Sequence, residues 1–134
     1  MADVTVTANE VLPDSGSRLE THTLGGTVTA GQTVYKNTSG LIVAADAGAA
    51  ATSTVLGIAM TGGVTSQSIV VCVGGTLDPG FTCGVGTPYF QSNTAGGICP
   101  AADLANPMRT SVIGVGITAS QLGLVLYNSG ATVP

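Results

Sequence analysis

The feature that most constrains the fold of this chain is a seven-residue segment that occurs twice. Residues 55–61 read Val-Leu-Gly-Ile-Ala-Met-Thr, and residues 112–118 read Val-Ile-Gly-Val-Gly-Ile-Thr. Upstream of each copy, a glycine, a short apolar run and Ala-Ala-Asp recur in the same order, ending at Asp46 and Asp103. A repeat of this kind indicates two copies of one supersecondary unit packed against each other.

The repeated units, residues 33–61 and 87–118, have the composition of β structure. Val, Ile, Thr and Tyr favour strands, and Gly, Asn and Ser between them favour tight turns. The second unit ends in a strand at 111–118, and a final strand follows at 122–127. We therefore predict an all-β fold: a single domain, residues 25–128, of about eight to ten short antiparallel strands, as a sandwich or a small barrel.

The glycine shared by the two seven-residue copies is Gly57 in one and Gly114 in the other. A strand glycine at the same place in both predicts a bend or a close approach by another backbone. A further strand, residues 68–73, is predicted to end at Gly74-Gly75, with a turn over residues 76–80.

Charge is scarce in this sequence. Charged residues make up 7% of the 134 residues and the formal net charge is −4, whereas an average soluble protein has about 25%. So neutral a surface predicts that other chains cover much of it, and we expect a homotrimer. The alternative is a secreted domain solvated by its Thr and Ser hydroxyls. With three basic residues, nucleic acid is not an expected partner.

The ends of the chain differ from the repeated core. Val4 and Val6 alternate with threonines, and a break containing Pro13 and Gly16 follows. This pattern predicts an extended N-terminal arm, residues 1–24, that pairs with a neighbouring chain. The alternative is an edge strand on its own domain. Residues 129–134 are predicted to be a loose tail. Neither a signal peptide nor a membrane-spanning segment is expected.

Residues with catalytic potential are few. His22 is the single histidine and has no nucleophile near it in the sequence. Asp46 and Asp103 occupy equivalent positions, so they could form an acid/base pair or hold a cation, but each is better explained as a turn residue that accepts backbone N–H bonds. The Gly-rich runs lack the lysine and helix of a phosphate-binding loop.

The three cysteines, Cys72, Cys83 and Cys99, have no metal-type spacing. Their odd number favours buried reduced thiols over a disulfide framework. We therefore predict a protein that is not an enzyme, with no catalytic, cofactor-binding or metal residues and no cofactor.

Several segments together resemble the head-decoration, or capsid cement, proteins of tailed bacteriophages. The resemblance spans about residues 24–127 and depends on the order of five short motifs: Gly26–Tyr35, the Ala-Ala-Asp loop, Val55–Ala59, Val70–Thr76 and Val85–Tyr89. It implies a β-rich domain, often trimeric, made in the host cytoplasm. That domain would bind the major capsid protein on the outer surface of the expanded head. It implies no catalytic residues.

A function from another class stays open at this point. A trimeric β-rich adhesion or fibre-base module would bind a host surface through exposed aromatic or polar clusters. The chain has five aromatic residues, Tyr35, Phe81, Tyr89, Phe90 and Tyr127. Tyr35 and Tyr89 are repeat equivalents, which favours a place in the core for both.

Overall fold

The computed structural model describes residues 3–48, 52–101, 104 and 108–132. Within them, ten antiparallel strands form a single curled sheet, an open half-barrel, which confirms the all-β prediction. A short 3-10 turn, Ala8–Glu10, precedes the strands. The strands are β1 (Val11–Pro13), β2 (Arg18–Thr23), β3 (Thr33–Lys36), β4 (Ile42–Ala44), β5 (Gly57–Ala59), β6 (Ser68–Pro79), β7 (Pro88–Gln91), β8 (Ile98–Pro100), β9 (Arg109–Thr118) and β10 (Gln121–Thr132).

The sheet has the order β4-β3-β5-β6-β10-β9-β7-β8, with β1 and β2 also paired to β6. The long strand β6 connects its two parts, because it pairs with β2 and β5 over its first half and with β1 and β10 over its second. The prediction that this strand ends at Gly74-Gly75 is wrong. Gly75 adopts a φ of +78°, and the strand continues through it to Pro79.

The strand pairings on the two sides of β6 correspond. β3 lies between β4 and β5, and β7 lies between β8 and β9. The turn before each of these triplets is bonded in the same way: the Gly31 N–H donates to the Ala59 carbonyl at 2.8 Å, and the Gly86 N–H donates to the Gly116 carbonyl at 2.8 Å. The internal repeat stays a prediction, with these pairings as its support.

Gly57 and Gly114 lie where a neighbouring strand comes close. A Cβ on Gly57 would overlap with the carbonyl oxygen of Cys72, and one on Gly114 would overlap with that of Gly123. In both cases the obstacle is the backbone of the paired strand, which cannot rotate away as a side chain can. The prediction of a close backbone approach at these glycines is therefore confirmed.

The main core lies inside the curl of the sheet. On β10, Leu122 is fully buried while Leu124 and Leu126 are partly buried, and all three pack on the same cluster. Ile58, Leu77, Ile113 and other buried side chains complete this cluster. A second cluster gathers around Leu24, Val28, Val34, Ile42 and Ile69. Alternate residues of β10 thus face the core, as the period of a strand requires.

The N-terminal segment lies on its own domain in this structure, so the prediction of an arm is not confirmed. The Val4 N–H donates to the Ile98 carbonyl and the Thr7 N–H donates to the Gly80 carbonyl, each at 2.9 Å. The side chain of Val6 fills the space beside Gly31, where a Cβ would overlap with it. Burying such valines against the chain's own core is favourable, so the apolar alternation serves the intrachain contact.

Asp14 fastens the turn between β1 and β2 to the sheet. Its carboxylate accepts hydrogen bonds from the Thr76 hydroxyl at 2.7 Å and from the Gln121 amide at 3.1 Å. The bond from Thr76 is the largest cause of a pKa below the usual value for this carboxyl, and the bond from Gln121 acts in the same direction. The turn is therefore held to both β6 and β10.

Two further boundaries differ from those predicted. The repeated segment 55–61 forms a strand only over Gly57–Ala59. The predicted tail, residues 129–134, is wrong over its first four residues, because β10 runs to Thr132 and pairs there with β9. The pairing of β9 with β10 thus extends into residues for which composition alone predicted an unpaired tail.

Candidate interaction surface

The far ends of the sheet are joined by a buried polar residue. Gln91, on β7, has no exposed surface, and its carbonyl oxygen accepts a hydrogen bond from the Thr33 hydroxyl on β3. Its amide group donates to the carbonyl of Ala45, just after β4, at 2.9 Å and to that of Ser92 at 3.0 Å. A buried amide with all these partners fixes the geometry of the curl.

The N-terminal segment contacts the last strand at each end of the sheet. Val4 bonds to Ile98 on β8, as described above. At the other end Leu24 pairs with Ile42 on β4, where the N–H of the next residue, Gly25, donates to the Ile42 carbonyl at 2.8 Å. Pro100 on β8 has no N–H to offer. These contacts occupy backbone groups to which a partner strand would otherwise add. A partner surface is therefore expected on the faces of the sheet and not at its edges.

The outward face of the β9–β10 ribbon is apolar and exposed. Ile117 is 46% exposed, Val125 57% and Tyr127 64%. Val125 and Tyr127 alternate with the inward leucines of β10, and the Ile117 Cδ1 lies 2.9 Å from where a Cβ on Gly123 would be. Residues 110–134 contain no charged side chain. Neutral, apolar and solvent-facing surface of this kind is a candidate interaction site. We call these three residues the ribbon face.

Depressions also lie elsewhere on the surface of the described residues, two of which are of interest. An apolar groove of about 500 Å³ is lined by residues of the 3-10 turn, of 27–30 and of 62–64. A polar cleft of about 260 Å³ contains the carboxylates of Glu10 and Asp78. Asp78 accepts a hydrogen bond from the Gly80 N–H at 3.1 Å, which is a turn contact.

The residues considered for catalysis have structural contacts. His22 lies on β2 with its Nε2 2.9 Å from the Glu20 carboxylate, a partner on the same strand. The Asp46 carboxylate accepts the Gly48 N–H at 2.6 Å, so the interpretation of Asp46 as a turn residue is confirmed. Asp103 lies outside the described residues, so the interpretation of Asp103 as a turn residue and the alternative of a carboxylate pair both stay untested.

The cysteines are buried free thiols, as predicted. Burial raises the pKa of the Cys83 thiol to about 11, and the nearby Asp78 carboxylate acts in the same direction. Burial also raises the pKa of Cys72, opposed in part by a hydrogen bond with the backbone of Gly74. Thiols held in the neutral form are poor nucleophiles.

Across the described ranges, no group of three or more His, Cys, Asp or Glu side chains could hold a metal ion. The same part of the chain contains no helix long and apolar enough to cross a membrane. The ribbon face is the feature that sequence reasoning missed, although its signal was present: Leu122, Leu124 and Leu126 alternate with non-leucine residues. No family model and no curated protein matches this chain.

Proposed function

We propose that this protein is a structural component of a virion, a cement protein that binds the outer surface of an expanded icosahedral phage head and stabilises the contacts between major capsid subunits. The observation that carries the proposal is the ribbon face, an exposed apolar surface within a stretch of 25 residues, 110–134, without charge. Such a surface suits a large, permanent, neutral contact with other proteins. The resemblance of residues 24–127 to head-decoration proteins supplies the identity of that partner.

The mechanism is one of mass action. A protein that binds the assembled shell and not its separated subunits lowers the free energy of the shell by its binding free energy, with no chemical step. A rigid sheet helps, because less conformational entropy is lost when a preorganised surface docks. Gln91 and the N-terminal contacts provide that rigidity. A homotrimer would present three ribbon faces or cover part of each, and light scattering of the purified chain distinguishes it from a monomer.

The adhesion module receives less support from the exposed side chains. Of the five aromatic residues, Tyr127 alone is largely exposed, and Phe81 and Tyr89 pack edge to face with their ring centroids 5.1 Å apart. One exposed aromatic ring is a small set for recognising a host glycan or protein.

The test uses expanded heads that lack this protein. Added chain should bind them and raise their thermal transition in scanning calorimetry. Val125→Asp places a charge in the ribbon face and should weaken binding at least tenfold, about 1.4 kcal/mol. Val64→Asp, at an exposed position in the apolar groove, is the matched control and should bind like the parent. Heads that neither bind the parent chain nor gain stability from it would overturn the proposal.

A further inference from the structure

Two turns of the chain have the same construction. In the turn 29–32, the Gln32 N–H donates to the Thr29 carbonyl at 3.2 Å, and in the turn 84–87 the Thr87 N–H donates to the Gly84 carbonyl at 3.0 Å. The third residue of each is a glycine with positive φ, +92° at Gly31 and +75° at Gly86. Each of these glycines also bonds to the corresponding strand, β5 or β9, as described above.

The two turns differ in what covers them. Val6 and Val11 of the N-terminal segment lie directly over Gly31, with the Val11 Cγ2 3.0 Å from where its Cβ would be. Nothing lies within 4 Å of the equivalent point at Gly86. The residues before the two glycines differ in burial in the same way. Ala30 packs against the core cluster, whereas Val85 is 73% exposed.

We propose that the turn 84–87 is a docking site for a valine-bearing segment of another protein, with the chemistry that residues 3–11 offer to the turn 29–32. The occupied turn indicates what such a segment needs: β-branched side chains that pack together over the glycine, as Val6 and Val11 do from either side of the 3-10 turn. The described residues contain two such turns and one segment that covers one of them, so copies that exchanged this segment would still leave one turn bare in every chain. The occupant that fits the second turn is therefore a segment of a different protein.

The charge around the bare turn narrows the partner further. Residues 79–102 contain no charged side chain, and the Asp78 carboxylate near Cys83 is the charge closest to the turn on its N-terminal side. We therefore expect the segment to be recognised mainly by its apolar side chains. Burying Val85 under an apolar side chain would be favourable, but the burial of one valine is too little for tight binding alone. The site would add to the ribbon face. The assignment of the segment to the major capsid protein rests on the proposed function. The chemistry inferred for the site is independent of that function.

The direct test is a titration of the isotope-labelled chain with a synthetic peptide of residues 3–11, followed by NMR. We expect the amide signals of Val85, Gly86 and Thr87 to shift at millimolar peptide. A peptide with its three valines replaced by serine should cause no such shifts. Val85→Asp should abolish the response, and Val64→Asp, with a charge added at another exposed valine, should retain it.

The inference is wrong if the turn 84–87 gives no shifts, if the peptide merely displaces the native segment at the turn 29–32, or if the serine peptide acts equally well. Capsid binding separates this inference from the proposed function. If the parent chain and the Val85→Asp variant bind heads equally tightly, the turn has no docking role, although the cement function stands. Should the parent chain fail to bind heads while the peptide responses occur as expected, the docking site stands and the cement function falls.

Discussion

Asn128 binds both backbone polar groups of Val55 with its side-chain amide. The Val55 N–H donates to the Asn128 Oδ1 at 2.8 Å, and the Asn128 Nδ2 donates to the Val55 carbonyl at 3.3 Å. Val55 precedes β5 and lies outside any strand, so the amide supplies the pair of bonds that a partner strand would otherwise give. The end of β10 is thereby joined to the segment that leads into β5.

Asn128→Ala should lower the free energy of unfolding by about 1–3 kcal/mol, because it leaves a buried N–H and a buried carbonyl without partners. Urea denaturation of the parent and the variant measures the difference. Asn9→Ala, in the exposed 3-10 turn, is the matched control and should change stability by no more than about 0.5 kcal/mol. Equal effects of the two substitutions would show that the Asn128 contact contributes nothing.

Gly57→Ala and Gly114→Ala should each destabilise the fold by about 1–3 kcal/mol or more, because the new methyl group would overlap with a carbonyl of the paired strand. The control is Gly26→Ala, where the nearest atom to the added Cβ, Val43 Cγ1, is 3.8 Å away. That variant should be neutral or slightly more stable, since alanine restricts the unfolded chain. Thermal melts of the three variants measure these differences. Tolerance of alanine at both strand glycines would contradict the pairing of β5 with β6 and of β9 with β10.

The thiols should be unreactive in the native protein. Burial and the raised pKa of Cys83, about 11, keep the thiolate fraction negligible at neutral pH. A chromogenic disulfide reagent at pH 8 should therefore titrate no thiol before denaturant is added and all three afterwards. Rapid labelling of one thiol in the native protein would contradict the burial described here.

The same shift makes stability depend on alkaline pH. The Cys83 pKa is raised on folding from its ordinary value of 9.0 to about 11, so the stabilisation from its neutral thiol is fully present below pH 9 and is lost as the pH rises toward 11. The midpoint of urea unfolding should fall across that window. Cys83→Ala should flatten the decline, and an unchanged pH profile in this variant would assign the decline to other groups.

Local sequence predicted what depends on local chemistry. The strands near Tyr35 and Tyr89 and the turns at glycine follow from β-branched residues and from positive φ. The extent of β6 does not, because Gly74-Gly75 is compatible with both a turn and a bend within a strand. Gly75 lies close to the carbonyl of Gly16, a residue 59 positions away along the chain. This long-range contact favours the bend over the turn.

The position of the N-terminal segment could not be predicted from the sequence, for a related reason. Alternating valines suit a strand on a neighbour and a strand on the same domain equally well. The intrachain choice depends on the space beside Gly31 and Gly80 that Val6 and Val11 fill. The ribbon face depends likewise on which side of β10 faces the core, which the alternation of leucines indicates only once β6 and β9 are known as its neighbours.

Quantitative mass spectrometry of purified virions tests the central claim most directly. The cement function predicts that this chain is present in a fixed ratio to the major capsid protein and in a copy number of the same order of magnitude. It also predicts that the chain is released when the heads are disrupted. A copy number at the level of a tail fibre, or a virion without this chain, would contradict the account.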